Sequence, residues 1–269
     1  MLREERLSVQ RTPQELAQIA LQVAQEAAAV AAAGWRSHPA VAHKSSRTDL
    51  ITEYDMRSER LIRERLAELA PELDLVAEEE GGDRTAGPVW YCDPIDGTTN
   101  FAHGHHYWSV SIGVLDGGLP IAGAVVAPLL ETAWVGWQGG PALRNGQPCA
   151  VSSTDVLGDA LVATGFPPVR DRDPDNNFKS FVRVKQAVRG VRRCGSAAID
   201  SCLVADGTYD AFWERSLHAW DLVGGAAVVL AAGGRVTALD GGAPQFERGH
   251  VLMSNARVHD ALLPLICGP

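Results

Sequence analysis

With 269 residues and 46% apolar side chains, the chain can fill the core of one large α/β body or of two packed lobes, and a disordered chain is excluded. Its formal charge of −9, with 24 lysines and arginines in no obvious cluster, argues against a nucleic-acid partner. The five cysteines (Cys92, Cys149, Cys194, Cys202 and Cys267) contain no C-x-x-C pair, so neither a disulfide framework nor a zinc site is signalled and a reducing cytoplasm fits; no run reads as an export signal or a membrane span.

Thr12 followed by Pro13 reads as a helix start, with Glu15 adding favourable charge in the first turn. Leu16, Ile19, Ala20, Val23, Ala27 and Val30 then recur at helical spacing until Gly34. The polar stretch from His43 to Asp55 reads as a hairpin that brings Asp55 to a second helix, Met56 to Leu69, where it is either a cap or a functional acid. Leu73 to Ala77 reads as a short strand running into Glu78-Glu79-Glu80-Gly81-Gly82, which taken alone is an ordinary solvated turn.

Chemistry concentrates in Trp90-Tyr91-Cys92-Asp93-Pro94-Ile95-Asp96-Gly97-Thr98-Thr99-Asn100-Phe101. Val89 to Cys92 is β-prone, Pro94 removes a donor from any continuing ladder, and Gly97 marks a change of direction into a short helix. Asp93 and Asp96 can therefore converge on one point, a costly arrangement for two anions unless a cation lies between them. Oxygen ligands alone favour a hard ion, Mg²⁺ first, and free amides at Gly97 to Thr99 suit a phosphate. The competing reading is an acidic turn that merely caps a helix.

Ser109 to Leu115, Leu119 to Pro128, Thr132 to Trp137 and Ala142 to Cys149 read as a meander of strands, with Trp134 and Trp137 as packing residues. His103, His105 and His106 crowd a glycine-containing loop with poor ligand geometry for zinc. Beyond Asp159, a strand at Ala160 to Thr164 leads into a second lobe. A polar loop follows at Asp171 to Asn177, then a helix from Asn176 to Val188, a strand from Gly190 to Cys194, and a helix opened by Gly195-Ser196-Ala197-Ala198. Tyr209 to Trp213 reads as a strand ending at Glu214, either a salt-bridge partner or a functional acid. A helix from His218 to Ala232 and strands at Arg235 to Leu239 and Val251 to Ser254 follow.

Taken together, Asp49-Leu50-Ile51-Thr52-Glu53-Tyr54-Asp55, Ala77-Glu78-Glu79, Asp93 to Phe101 and Trp220-Asp221-Leu222-Val223-Gly224-Gly225 resemble, in order, four motifs of the inositol monophosphatase family, Mg²⁺-dependent and lithium-sensitive phosphomonoesterases. The resemblance implies an α/β fold, a layered α-β-α-β-α sandwich of the sugar-phosphatase type. It also implies one catalytic domain over residues 1–269, its N-terminal lobe about 1–155 and its C-terminal lobe about 156–269 sharing one cleft, and a homodimer. By residue, it implies that Glu78, Asp93 and the Ile95 carbonyl hold one Mg²⁺, that Asp93, Asp96 and Asp221 hold a second, and that a third shares Glu78. Asp55 and Thr98 would position and deprotonate the attacking water, and the Gly97 and Thr98 amides would hold the phosphate. Gly195, Ser196, Ala197 and Glu214 would meet the alcohol, with Asp96 and Asp221 beside it. The implied substrate is a small polyol phosphate monoester, myo-inositol monophosphate first. Fructose 1,6-bisphosphate, histidinol phosphate and nucleotide 3′-phosphates stand as alternatives, and a cation-binding regulatory protein as the non-enzymatic one. Pro167 and Pro168 stand where many inositol-type members carry small hydroxyl residues, which leaves the identity of the alcohol open.

Overall fold

A capping box starts the first helix: Thr12 Oγ1 accepts the Glu15 amide at 3.2 Å, and Glu15 accepts the Thr12 amide at 2.8 Å. In the computed structural model, which describes residues 11–37, 41–43, 50–82, 84, 87–167 and 176–268, this helix is α1 (Pro13–Ala32). Strands β1 (Val41–His43) and β2 (Leu50–Thr52) pair antiparallel as the expected hairpin; its connection, including Asp49, lies outside the described residues, as do Pro168 and the loop from Asp171 to Asp175. Helix α2 (Glu53–Leu69) begins earlier than expected, because Thr52 is its N-cap and Asp55 occupies the third helical position.

Strand β3 (Asp74–Ala77) runs parallel to β4 (Val89–Asp96). Contrary to expectation, β4 does not stop at Pro94: its register against β5 (Ser109–Asp116) shifts between Asp93 and Asp96, and the irregularity absorbs the donor that proline lacks. Gly97, at φ +96°, caps the five-residue helix α3 (Thr98–Ala102). Strands β6 (Leu119–Ala127), β7 (Thr132–Trp137), β8 (Ala142–Arg144) and β9 (Gln147–Cys149) extend the meander, giving a seven-stranded sheet in sequence order from β3 to β9.

The rest of the chain builds a second, five-stranded sheet. Its elements are β10 (Leu161–Thr164), α4 (Phe178–Ala187), β11 (Gly190–Arg192), α5 (Ala197–Ala205), β12 (Ala211–Glu214), α6 (Ala219–Ala231), β13 (Arg235–Thr237), β14 (Val251–Ser254) and α7 (His259–Cys267). The strand order is β11-β10-β12-β14-β13, with β11, β10 and β12 parallel. Helix α7 had no counterpart in the sequence reading.

Strand alternation shows how the layers stack. In β4, Trp90 and Cys92 join the core under α1 and α2, whereas Val89 and Tyr91 join the core that holds α5 and α6. In β12, Phe212 faces that same middle layer, while Ala211 and Trp213 face the third core, with α4 and α7. The protein is therefore a layered α-β-α-β-α sandwich. Trp134 packs in the middle layer and donates its indole N–H to Asp206 at 3.0 Å, a packing role as expected.

Helix α6 rests directly on strand backbone. A Cβ at Gly113 would lie 2.5 Å from the Gly224 nitrogen, and one at Gly123 would lie 2.4 Å from the Gly224 oxygen, so both strands need glycine where the helix crosses. This close seating brings Asp221, in the first turn of α6, down to the end of β4.

Candidate active site

Asp93 and Asp96 leave the end of β4 on either side of its irregularity, and Asp221 faces them from the first turn of α6. One carboxylate oxygen from each lies within 4.8 Å of the others. Asp93 also accepts the Ile95 amide at 2.9 Å, and Asp221 accepts the His218 amide at 2.6 Å, bonds that fix how each carboxylate is presented. Asp96 is held most fully. It accepts the amides of Ala197 at 3.1 Å and Ala198 at 2.9 Å, the Ser109 hydroxyl at 3.3 Å, and the Ser196 hydroxyl.

Glu78 follows β3 directly, and its amide bonds the Cys92 carbonyl at 3.2 Å, so the turn of three glutamates is tied to the strand that carries Asp93. That turn lies at the surface, with Glu80 exposed, but its backbone is anchored from below. Glu59 of α2, fully buried, accepts the amides of Glu79 at 2.7 Å and Glu80 at 2.9 Å and pairs with Arg63 at 2.8 Å.

Asp55 does two things at once. One oxygen accepts the Thr52 amide at 2.8 Å and its hydroxyl at 2.5 Å, completing the cap of α2. The other accepts the Thr98 hydroxyl at 3.1 Å, which also lies 3.0 Å from the Ile95 carbonyl. The cap and the functional reading are thus compatible, because the two carboxylate oxygens face different partners.

On the other wall, Gly195 follows β11 at φ +90°, and Asn100 of α3 donates to the carbonyls of Tyr107 at 2.6 Å and Cys194 at 2.9 Å, locking this turn to α3. Ser196 and Ala197, expected to meet the alcohol, spend their hydroxyl and amide on Asp96. Glu214 is buried at the end of β12, flush against Gly165, where an added Cβ would lie 2.0 Å from its carboxylate; among the described residues it accepts no hydrogen bond. The guanidinium of the neighbouring Arg215 reaches the Ile266 carbonyl at 2.9 Å. Asp200, buried in α5, accepts the Tyr107 hydroxyl at 2.6 Å.

Electrostatics follow from this crowding. Burial, and then the charges of Glu78, Asp96 and Asp221, push the Asp93 carboxyl well above its ordinary range; burial, Glu78 and Asp96 do the same to Asp221. Burial also raises Asp96 to about 6, against the bonds from Ser196, Ala198, Ala197 and Ser109 that favour its charged form. Asp55 is raised to about 6, again chiefly by burial. Among the described residues no lysine or arginine pairs with Asp93, Asp96 or Asp221. Three convergent oxygen donors that repel one another and lack a basic partner fit a hard divalent cation.

Several contributors were not anticipated. Glu59 was readable in principle, since it recurs with Asp55, Ile62 and Leu66 on one face of α2, an acid pair on an otherwise apolar stripe. Ser109 and Asp200 carry no local signal, and the part Asn100 plays within its motif does not show in the sequence, because its partners come from distant elements.

A layered α/β body here gathers carboxylates from a strand end and a helix start at one buried point, a donor set suited to a hard cation, and comparison with known proteins places the chain among phosphatases. The chain belongs to the inositol monophosphatase family, whose profile matches residues 12–267. It is 36% identical over 248 residues to the inositol-1-monophosphatase of Synechocystis sp., with 90% of this chain and 86% of that protein covered. It is 37% identical over 225 residues to the Nus factor SuhB of Pseudomonas aeruginosa, covering 81% of this chain and 83% of that one. Among solved structures, the inositol monophosphatase from Anabaena (Nostoc) sp. superposes with a TM-score of 0.85 at 35% identity, covering 94% of this chain and 95% of that one.

Proposed function

We propose that the chain hydrolyses the phosphate monoester of a small polyol, with myo-inositol monophosphate the foremost candidate, in a Mg²⁺-dependent reaction by direct attack of water. The observation that carries this reading is the pairing of a cation-ready carboxylate cluster (Asp93, Asp96 and Asp221) with a separate proton acceptor, Asp55, linked to it through Thr98. Glu78, Asp93 and the Ile95 carbonyl would hold one ion, and Asp93, Asp96 and Asp221 another, the cleft lying between lobes of about 1–155 and 156–269. Bound there, Mg²⁺ supplies positive charge to the phosphoryl oxygens and the leaving oxygen and acidifies water.

The side chains do the rest. Thr98 accepts a proton from the attacking water as its own hydroxyl proton passes to Asp55, whose other oxygen is anchored on Thr52 and keeps the carboxylate in place. The amides of Gly97 and Thr98 face the phosphate, and donors fixed before reaction cost no reorganisation as charge develops. Ser196 and Ala197 hold Asp96 in its orientation, and Glu214 supplies an acceptor for hydroxyls of the alcohol.

The Nus factor name of one relative keeps a non-catalytic, regulatory reading in view. The Asp55–Thr98 pair favours catalysis, because a protein that only stored cations would not need a hydroxyl-linked base outside the cluster. A panel of phosphate esters assayed with Mg²⁺, then with chelator and with lithium, tests the reading. Mg²⁺-dependent, lithium-suppressed release of phosphate, fastest from a myo-inositol monophosphate, is expected; absence of phosphate release from every ester would refute it. Size-exclusion chromatography with light scattering tests the accompanying expectation of a homodimer.

A further inference from the structure

Arg193 stands at the edge of this cleft and, among the described residues, forms no hydrogen bond or ion pair. It leaves the end of β11, whose register pairs Arg192 with Ala163 of β10. On the other side of β10, Thr164 pairs with Trp213, so Gly165 and Glu214 are the next residues along. Arg193 and Glu214 therefore flank the carboxyl end of the central strand of three parallel neighbours, the end of such sheets at which ligands bind. The backbone between them is bare: Gly165 lies under the Glu214 carboxylate, and Gly195 lies under the Arg193 guanidinium, where an added Cβ would be 2.6 Å from Nη1. Gly195 in turn abuts Gly97, at the phosphate end: a Cβ on Gly97 would be 3.0 Å from the Gly195 carbonyl oxygen.

The two side chains are chemically complementary. Glu214 offers acceptors and no donor in its charged form, while Arg193 offers a fork of N–H donors and no acceptor. Burial pushes the Glu214 carboxyl well above its ordinary range, and the positive charge of Arg193 is the strongest influence that favours its charged form; Arg193 acts in the same sense on Asp200. A second phosphate on the substrate would meet the Glu214 carboxylate as a like charge, so this corner does not suit a bisphosphate. A neutral group that both donates and accepts does suit it, and two adjacent hydroxyls are the simplest.

We propose that Arg193 is a specificity-determining residue whose guanidinium, paired with the Glu214 carboxylate across Gly165 and Gly195, reads a vicinal diol on the alcohol that carries the phosphate. The inference rests on the polyol reading above and sharpens it: one hydroxyl donates to Glu214, and its neighbour accepts from Arg193. Lysine cannot replace the fork, because a single ammonium donates along separate directions without the planar geometry.

Three substrates and two variants test it: a myo-inositol monophosphate, its analogue lacking one hydroxyl beside the ester carbon, and an aryl phosphate, each with wild type, Arg193→Met and Arg193→Lys. Arg193→Met is expected to lower kcat/KM on the polyol phosphate about 10- to 100-fold more than on the aryl phosphate, mostly through KM. The deoxy analogue should show a smaller loss than its parent, and Arg193→Lys should recover only part of the difference. Melting temperatures within about a degree or two of wild type would show that the variants fold, as expected for an exposed side chain. Equal losses on all three substrates, or no loss on any, overturn the assignment of Arg193 while leaving the phosphatase reading intact. A wild-type enzyme that does not prefer the polyol phosphate overturns the polyol reading itself, and the diol proposal with it.

Discussion

Replacing Thr98 by valine keeps the shape of the side chain and removes one hydroxyl, so it isolates the proton route. That hydroxyl sits 3.1 Å from Asp55 Oδ1 and 3.0 Å from the Ile95 carbonyl, and nothing else described joins Asp55 to the cluster side. Asp55 itself stays placed, because Thr52 holds its other oxygen through an amide at 2.8 Å and a hydroxyl at 2.5 Å. A lost positioned proton acceptor typically costs about 10²- to 10⁴-fold; with the carboxylate still present nearby, a fall in kcat of about 10²- to 10³-fold is expected, with KM little changed. Removing one hydrogen bond to a buried carboxylate should also cost about 1–3 kcal/mol of stability, lowering Tm by roughly 2–4 °C for each kcal/mol. The pH profile gives a second readout. The Thr98 bond favours the charged form of Asp55, whose pKa burial has already raised to about 6, so its loss raises that pKa further and moves the acid limb of activity to higher pH. Steady-state kinetics between pH 5 and 9, with Thr98→Ser as the hydroxyl-restoring control, measure both effects. A Thr98→Val enzyme with wild-type kcat and an unmoved acid limb would refute the proton route.

Asp93→Asn should abolish turnover and also remove the stabilisation expected from Mg²⁺ in the wild type, which for a ligand at a hundred times its Kd amounts to about 2.7 kcal/mol; a variant that still gains that stability shows Asp93 is not a ligand. Glu214→Gln should weaken kcat/KM for a polyol phosphate by about 1–3 kcal/mol and affect an aryl phosphate far less; equal losses would assign Glu214 to the fold. His259, fully buried, bonds Thr237 at 2.9 Å and Ser254 at 2.8 Å, and burial lowers its pKa from 6.5 to about 4. The folded state therefore keeps a neutral ring while the unfolded chain takes up a proton, so stability is present above pH 6.5 and declines by on the order of 3 kcal/mol as pH falls towards 4. Urea titrations across that range should show this slope in wild type and lose much of it in His259→Asn.

How much of this was readable in one dimension depended on where partners lie. The segment from Asp93 to Phe101 was legible because its signals are adjacent: a proline, a turn glycine at φ +96° and two acids three apart. The meander from β5 to β9 followed from alternation and turn residues in the same way, and the hairpin before Asp55 from the polar character of its stretch. Helix α7 was not legible. It contains Pro264, and its start is set by Asn255, whose side chain accepts the amides of Arg257 at 3.0 Å and Val258 at 3.2 Å, ahead of the helix itself. The course of β4 past Pro94 depended on a register shift that only pairing with β5 reveals. Glu79 and Glu80 looked like a surface run because their anchor, Glu59, comes from another helix. The spent hydroxyl of Ser196 was equally hidden, since Asp96 is a hundred residues away in the chain.

The glycines under α6 make the distance between Asp221 and the end of β4 a matter of backbone touching backbone. Leucine or valine contacts can be re-dimensioned one methylene at a time, but at Gly113 and Gly123 there is no smaller step to take, and any larger residue acts as a shim that lifts the helix. The spacing of the carboxylate cluster is thus closed to gradual adjustment. The opposite wall, built on turns after β10 and β11, has no such constraint beyond its two bare glycines. Descendants of this sequence can therefore drift in which alcohol they accept while the spacing that serves the phosphate stays where it is, and a designer seeking a new substrate should leave the helix seat alone and work on the far turns.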